Sequence, residues 1–124
     1  MYLLGERSDV HALMQLANFI VLSSENEGLS NTLLEGMING RLVIASDIPG
    51  NAEVIQHNQN GALFEPDDDE QLANIMHRAI EEPSWARRLG NAAHQEAEAR
   101  FSVPVMAESF MQHYLSTRQL LQQA

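Results

Sequence analysis

The stretch that decides the fold is "FIVLSSENEGLSNTLLEGMINGRLVIAS", residues 19–46. Two short apolar runs, Phe19–Leu22 and Leu42–Ala45, flank a segment of helical spacing at Ser30–Ile38. Both runs are apolar without interruption, which is typical of parallel strands that are covered on both faces. A strand, a helix and a strand in this order predict a crossover unit, so we expect an α/β protein.

The alternation of short and long apolar segments continues on both sides of this unit. Runs at Tyr2–Leu4 and Ala62–Phe64 are expected to add strands, which makes about four in all. The predicted fold is an incomplete Rossmann-like, doubly wound parallel sheet with flanking helices and a helical C-terminus. It forms a single partial domain over residues 1–124, with a frayed tail at Gln119–Ala124. The remaining helices are predicted at Val10–Ala17, Glu70–Glu82, Ser84–Arg100 and Pro104–Leu121.

Helix boundaries are also visible in the sequence. Asp9, Ser84 and Ser102 lie where N-caps are expected, and Gly40 and Gly90 lie where helices are expected to stop or turn. Serine and aspartate side chains accept hydrogen bonds from the free N–H groups of a first turn. Glycine adopts the left-handed conformation with which many helices end. These positions set the predicted lengths of the helices.

Composition narrows the classes of partner. The chain has 17 acidic residues against 7 basic ones, a formal net charge of −10, and no cysteine. Disulfides and thiolate metal sites are therefore excluded, and nucleic acid and anionic membranes are poor partners for this surface. The N-terminus lacks the apolar core of a signal peptide, and no apolar run approaches the roughly 20 residues of a spanning helix. We expect a soluble, cytoplasmic chain.

The segment "SSENEGLSNTLLEGM", residues 23–37, follows a predicted strand at the edge where open α/β sheets bind ligands. Gly28 allows a close approach of backbone to ligand, and Ser30 or Thr32 can cap the next helix. The free N–H groups of the first helical turn form a ready site for phosphate. Glu27 and Glu35 could flank such an anion and accept hydrogen bonds from sugar hydroxyls. This chemistry suits a nucleoside diphosphate sugar.

Spacing alone also permits a purely structural interpretation, and favours it. Thr32-Leu33-Leu34-Glu35 matches a capping box, in which Glu35 would bond back to the N–H group of Thr32. In that case Glu27 would lie in water, and neither glutamate would bind a ligand.

The wider sequence resembles one family in particular. Glu27-Gly28-Leu29 followed by Leu34-Glu35-Gly36-Met37 is similar to the E-x7-E motif of retaining glycosyltransferases with the GT-B fold, of the group 1 or family 4 type. The resemblance continues, in order, through "GRLVIASDIPGNAEVI", "NGALFEPDDDEQLA" and "RRLGNAAHQEAEARFS". It covers nearly the whole chain and is far more specific than the glutamate pair, so it favours the ligand-facing interpretation of Glu27 and Glu35.

The resemblance implies a role for each matching residue. Glu27 would be the catalytic-site residue, contacting hydroxyls of the transferred sugar, and Glu35 would bind the ribose hydroxyls of the nucleotide. Such enzymes retain anomeric configuration, and the GT-B type generally needs no metal and no cofactor. The donor diphosphate would be held by the backbone of Gly28, Leu29 and Ser30 and by the first turn at Asn31, Thr32 and Leu33.

Departures from the family pattern concern both single residues and whole segments. Ser23 and Ser30-Asn31 stand where the family often has proline and Gly-x-Pro. The family's basic pair on the diphosphate and its N-terminal acceptor domain have no counterpart here, so we interpret the chain as a C-terminal piece. The strand at Phe19–Leu22 would then be an open edge, and a homodimer through "YLLG" and "FIVL" is expected.

Two functions follow from these observations. The first is the donor nucleotide-sugar-binding part of a retaining glycosyltransferase for polysaccharide or glycolipid assembly, inactive alone and, in a longer enzyme, peripheral at the inner face of the membrane. The alternative is a non-catalytic α/β interaction or oligomerisation module derived from such an enzyme. The acidic run Asp67–Glu70 is interpreted as a helix start. The five histidines show no spacing typical of metal ligands.

Overall fold

The computed structural model of the chain describes residues 1–25, 30–101, 111–112, 115 and 118–122. Residues 111–112, 115 and 118–122 are helical. None of the helices in these ranges is long and apolar enough to cross a lipid bilayer. The elements are α1 (Val10–Leu16), β1 (Phe19–Leu22), α2 (Asn31–Ile38), β2 (Leu42–Ser46), α3 (Pro49–Ala52), β3 (Ala62–Phe64), α4 (Asp69–Glu81) and α5 (Pro83–Phe101).

The sheet has three parallel strands in the order β1-β2-β3. Phe19 pairs with Leu42 and Leu22 with Ala45, while Ile44 pairs with Ala62 on the other side of β2. The predicted α/β class and parallel sheet are confirmed, but the expected fourth strand is wrong. Tyr2–Leu4 has no strand structure, and Tyr2 is 91% exposed. An apolar triplet becomes a strand only where a neighbour supplies hydrogen bonds and burial, and no strand of the described ranges lies beside it.

β2 is the centre of the core, because all of its residues are buried. Successive side chains of a strand point to opposite faces, and β2 accordingly contributes to two hydrophobic clusters. Val43 and Ala45 pack with residues of α2 and the second half of α5. Leu42 and Ile44 pack with residues of α4 and the first half of α5. α5 therefore covers both faces of the sheet.

α2 ends in a tight turn that returns the chain to β2. Gly40 has a φ of +69°, the left-handed conformation that glycine adopts most readily. The Gly40 N–H donates to the Met37 carbonyl at 2.9 Å, and the Arg41 N–H donates to the Gly36 carbonyl at 3.1 Å. This pair of bonds is a Schellman motif, and it confirms Gly40 as the end of the helix.

Gly90 has a different role from the predicted one. It does not end a helix but lies inside α5, where a Cβ atom would come within 2.3 Å of the Gly40 carbonyl oxygen. At this point the helix packs against the α2–β2 turn, between its buried residues Leu89 and Ala93. Glycine is needed here because the space belongs to another backbone, a requirement that a local pattern does not reveal.

The predicted N-caps have mixed outcomes. Ser84 lies inside α5, which begins at Pro83, because proline suits the first turn of a helix. Asp9 occupies the N-cap position of α1 but makes no side-chain cap bond. Its carboxylate accepts two hydrogen bonds of 2.6 Å from the Arg7 guanidinium, which lowers the pKa of Asp9. Ser102 lies outside the described residues.

The contact between Gly90 and the Gly40 carbonyl predicts a large effect of a single methyl group. Gly90→Ala should lower the free energy of unfolding by about 1–3 kcal/mol, although an unhindered change of this kind in a helix stabilises by about 0.5–1 kcal/mol. Denaturant unfolding measures the difference. Asn91→Ala, at the exposed neighbouring position of the same helix, is the control and should cost little. A Gly90→Ala variant as stable as the parent would contradict the close approach.

Candidate functional site

The carboxyl edge of the sheet gathers the segments that the sequence singled out. Because all the strands are parallel, the loops after Leu22, Ser46 and Phe64 leave the sheet at the same edge. The N-terminus of α2 follows the first of these loops. Ligands of open α/β sheets bind outside this edge, so it is the place where a site is expected.

The N-terminus of α2 is capped by Ser30. The Ser30 Oγ accepts a hydrogen bond from the Leu33 N–H at 3.4 Å. The N–H groups of Asn31 and Thr32 have no acceptor among the described residues. The Leu33 side chain is fully buried in the core, which fixes the helix against the sheet. α2 therefore presents at its positive end two N–H groups that have no acceptor in the described part of the chain, and an apolar anchor holds them in place.

Glu35 lies in the same helix and does not form the capping box. The box would require Thr32 as N-cap, whereas the helix starts at Asn31 and its N-cap is Ser30. Glu35 is exposed, and no hydrogen bond or ion pair of its carboxylate joins it to another described residue. Because residues four apart lie on one face of a helix, Glu35 shares the exposed face of Asn31. Its carboxylate is available for a ligand.

The other predicted site residues cannot be placed in the same way. Glu27, Gly28 and Leu29 lie outside the described residues. The described chain approaches them from both sides, through Glu25 at the end of the β1 loop and Ser30 at the cap of α2. The predicted diphosphate-binding turn at Asn31, Thr32 and Leu33 is the first turn of α2.

A buried polar pair at this edge was not anticipated from the sequence. Ser46 ends β2, and its Oγ donates a hydrogen bond of 2.5 Å to the Ser24 carbonyl. Asn51 Nδ2 donates to the Ser46 carbonyl at 2.9 Å. The two side chains are 2% and 1% exposed. A signal was present in "LVIASDIPGN", where a serine ends a buried apolar strand and an asparagine follows a Pro-Gly turn.

A small cleft of about 100 Å³ lies between the loops after β1 and β3. Three carboxylates line it, those of Glu25, Asp67 and Asp69, together with Ser46. Small-molecule sites usually measure about 300–1,000 Å³, so this cleft is too small for a whole nucleotide sugar. Its acidity is unfavourable for phosphate but compatible with hydroxyl groups, which donate hydrogen bonds to carboxylates.

A larger cavity, about 280 Å³, lies at the opposite edge of the sheet, beside the Gly40 turn and the start of α5. Arg41 and Arg87 line it. The Arg41 guanidinium donates to the Gln15 carbonyl at the end of α1, so this arginine fixes a helix end. Because the strand ends that bind ligands in parallel sheets are at the other edge, we place the candidate site at the carboxyl edge and not in this cavity.

The acidic run before α4 has the structural role that was predicted. Asp68 is the N-cap, and its carboxylate accepts a hydrogen bond from the Gln71 N–H at 3.0 Å. Asp69 and Glu70 lie in the first turn, where negative charge is favourable. Within the described ranges, no three acidic or histidine side chains are grouped as a metal site would require.

Comparison with known proteins relates this geometry to one family. Residues 1–96 match the family model described as "Glycosyl transferases group 1". EpsD of Bacillus subtilis (strain 168), which is named as a glycosyltransferase, is 38% identical over 98 residues, which are 79% of this chain and 26% of EpsD. N-acetyl-alpha-D-glucosaminyl L-malate synthase of Bacillus anthracis is 30% identical over 98 residues, again 79% of this chain and 26% of the relative. The chain thus spans about a quarter of the length of these relatives.

Solved structures agree with the family match. Anabaena Alr3699/HepE in complex with UDP and glucose superposes with a TM-score of 0.86 at 28% identity, over 91% of this chain and 31% of HepE. The C-terminal domain of LpcC from Francisella tularensis, described as a glycosyl transferase group 1 family protein, gives a TM-score of 0.73 over 83% of this chain and 53% of that domain. At 19% identity, the second likeness concerns the fold alone. The predicted resemblance to GT-B enzymes is confirmed.

Proposed function

Because the chain belongs to the group 1 glycosyl transferases, we propose that it binds the nucleoside diphosphate sugar donor of a retaining glycosyl transfer. The observation that carries the proposal is the exposed face of α2 at the carboxyl edge of the sheet. The first turn of α2 carries the N–H groups of Asn31 and Thr32, which have no acceptor among the residues that the structure describes, and Glu35 follows about one helical turn later. HepE, whose structure contains UDP and glucose, provides the analogy for the class of ligand.

The donor diphosphate would bind at the first turn of α2. The N–H groups of Asn31 and Thr32 are free among the described residues, and the helix dipole favours an anion there. These groups matter because the whole chain has 17 acidic and only 7 basic residues. Main-chain N–H groups attract phosphate without adding a cationic side chain. Gly28 and Leu29 would extend this backbone cradle.

Glu35 would bind the ribose. It lies four residues beyond Asn31, which corresponds to about 6 Å along a helix axis. Helical side chains tilt toward the N-terminus, so its carboxylate leans toward the diphosphate position. Ribose hydroxyls would donate hydrogen bonds to it. Glu27 would accept hydrogen bonds from hydroxyls of the sugar on the other side of the diphosphate.

Transfer of the sugar would need more than these groups. The chain spans 26% of EpsD and 31% of HepE, and the cations that neutralise a leaving diphosphate are not among the residues assigned here. We propose that the chain on its own binds the donor without transferring the sugar. Polysaccharide or glycolipid assembly, with retention of anomeric configuration, would be the role of an enzyme that also has an acceptor domain.

The role of Glu35 can be tested with UDP and its 2′,3′-dideoxy analogue. Glu35→Gln should weaken UDP binding roughly tenfold, since hydrogen bonds to a charged group contribute about 1.5–3 kcal/mol. It should leave binding of the dideoxy analogue nearly unchanged, because that ligand lacks the hydroxyl donors. Saturation-transfer NMR titrations of both ligands measure the four affinities.

The matched control is Glu81→Gln, which removes one exposed carboxylate from α4, away from the carboxyl edge. It should bind both ligands like the parent. Equal losses for UDP and the dideoxy analogue in Glu35→Gln would show that Glu35 does not bind ribose. Absence of UDP binding to the parent chain at millimolar concentration would contradict the donor-binding proposal itself and favour the non-catalytic module.

A second expected property is independence from metal ions and cofactors. The proposed diphosphate site uses main-chain N–H groups, which need no cation to bind phosphate. UDP titrations in the presence of EDTA and in the presence of Mg²⁺ should therefore give affinities within about twofold, a difference of less than 1 kcal/mol. A strong increase with Mg²⁺ would identify a metal-dependent donor site.

We also propose that two copies of the chain associate, with the segment Tyr2–Leu4 of one copy pairing with β1 of the other. It would pair at the edge of β1 that has no partner among the described residues. Among the described residues β1 pairs only with β2, and Leu3 of the preceding segment is 90% exposed. Light scattering should show an apparent mass that rises above 13.8 kDa with concentration. Leu3→Lys should suppress the rise because charge opposes edge pairing, whereas Leu120→Lys should not. A constant monomer mass would contradict the proposal.

A further inference from the structure

We infer that Ser46 and Asn51 are positioning residues of the donor site, because their buried hydrogen bonds fix the direction in which the loop carrying Glu27 leaves β1. The inference rests on the proposed function, since it concerns how the donor-binding loop is held. Neither residue is assigned a contact with the donor. Their effect would be transmitted through the main chain of Ser24.

The burial of this pair needs an explanation. Ser46 is 2% exposed and Asn51 is 1% exposed, at positions where apolar residues would otherwise add to the core. A buried hydroxyl or amide costs free energy unless it is hydrogen-bonded. Ser46 Oγ donates to the Ser24 carbonyl at 2.5 Å, and Asn51 Nδ2 donates to the Ser46 carbonyl at 2.9 Å. Asn51 Nδ2 also lies 3.5 Å from Ser46 Oγ.

Hydrogen bonds connect the three strand ends at the carboxyl edge. Ser24 belongs to the loop after β1, and Ser46 and Asn51 belong to the end of β2 and to α3. The end of β3, from which the third loop starts, joins the same group through the Phe64 carbonyl, which accepts a hydrogen bond from the Asp47 N–H at 2.7 Å. The Ile48 N–H donates to the Ser46 carbonyl at 2.9 Å, which turns the chain into α3. A shift of Ser46 would therefore move the exit of β1 relative to the other two loops.

The position of the anchor in the sequence explains its effect on the site. The Ser24 carbonyl and the Glu25 N–H belong to one planar peptide unit, two residues before Glu27. On the other side of residues 26–29, Ser30 caps α2. Ordering a chain segment costs conformational entropy, so an anchor that already holds Ser24 before a ligand arrives lowers the cost of binding. Ser24 precedes Glu27, the residue proposed to bind the sugar of the donor, whereas α2 carries Glu35, the residue proposed to bind the ribose of the nucleotide.

The test combines a ligand-free and a ligand-bound measurement on Ser46→Ala. Ser46→Thr keeps the hydroxyl, and Ser84→Ala removes an exposed serine from α5 as the matched control. In the absence of ligand, the ¹⁵N order parameter of the Glu25 amide should fall from the rigid value of about 0.85 toward about 0.6 in Ser46→Ala only. In the presence of ligand, Ser46→Ala should weaken UDP-glucose up to about tenfold and UDP much less, as expected for one lost hydrogen bond.

The outcomes are distinguishable. An unchanged Glu25 order parameter in Ser46→Ala would overturn the inference, whether or not the chain binds UDP. A mobile Glu25 amide with equal losses for UDP and UDP-glucose would also overturn it, because the anchor would then not act on the sugar end. Partial recovery of both readouts in Ser46→Thr would support it. Failure of the parent to bind UDP would contradict the proposed function, while the Glu25 measurement would still decide whether Ser46 holds the loop.

Discussion

Burial of β2 on both faces is the constraint on which the rest of the structure depends. A strand without any exposed residue needs a helical layer on each face and a hydrogen-bonded neighbour on each edge. β1 and β3 supply the edges, and α2, α4 and α5 supply the layers. The same arrangement brings the ends of all three strands to one edge. The candidate site therefore follows from the requirement to cover one apolar strand.

The parts that could be predicted from the sequence are those governed by local patterns. Uninterrupted apolar runs identified β1 and β2, and helical spacing identified α2, α4 and α5 to within a few residues. Gly40 was recognised because the left-handed end of a helix is a local requirement. The parts that could not be predicted depend on distant contacts. Gly90 must be glycine because a side chain there would clash with the Gly40 carbonyl. Tyr2–Leu4 is not a strand because no strand of the described ranges lies beside it.

The same distinction applies to the candidate site. Spacing alone favoured a capping box between Thr32 and Glu35. The helix starts at Asn31 with Ser30 as its N-cap, so Thr32 is not in the N-cap position that the box requires. The match to a whole family pattern pointed the other way, toward a ligand-facing Glu35, and the exposed carboxylate is compatible with that. The burial and the hydrogen bonds of Ser46 and Asn51 could not be predicted, because serine and asparagine are common in exposed loops. Only their burial against Ser24 distinguishes them.

The path of α5 has a consequence for the way the domain gains and loses its structure. Its first half is part of the cluster around Ile44, and its second half is part of the cluster around Val43. Detaching this one helix would expose apolar residues on both sides of the sheet together, and it would leave α2 alone on one side and α4 alone on the other. The two halves of the core are thus joined into one cooperative unit, and the loops at the carboxyl edge can vary without dividing it.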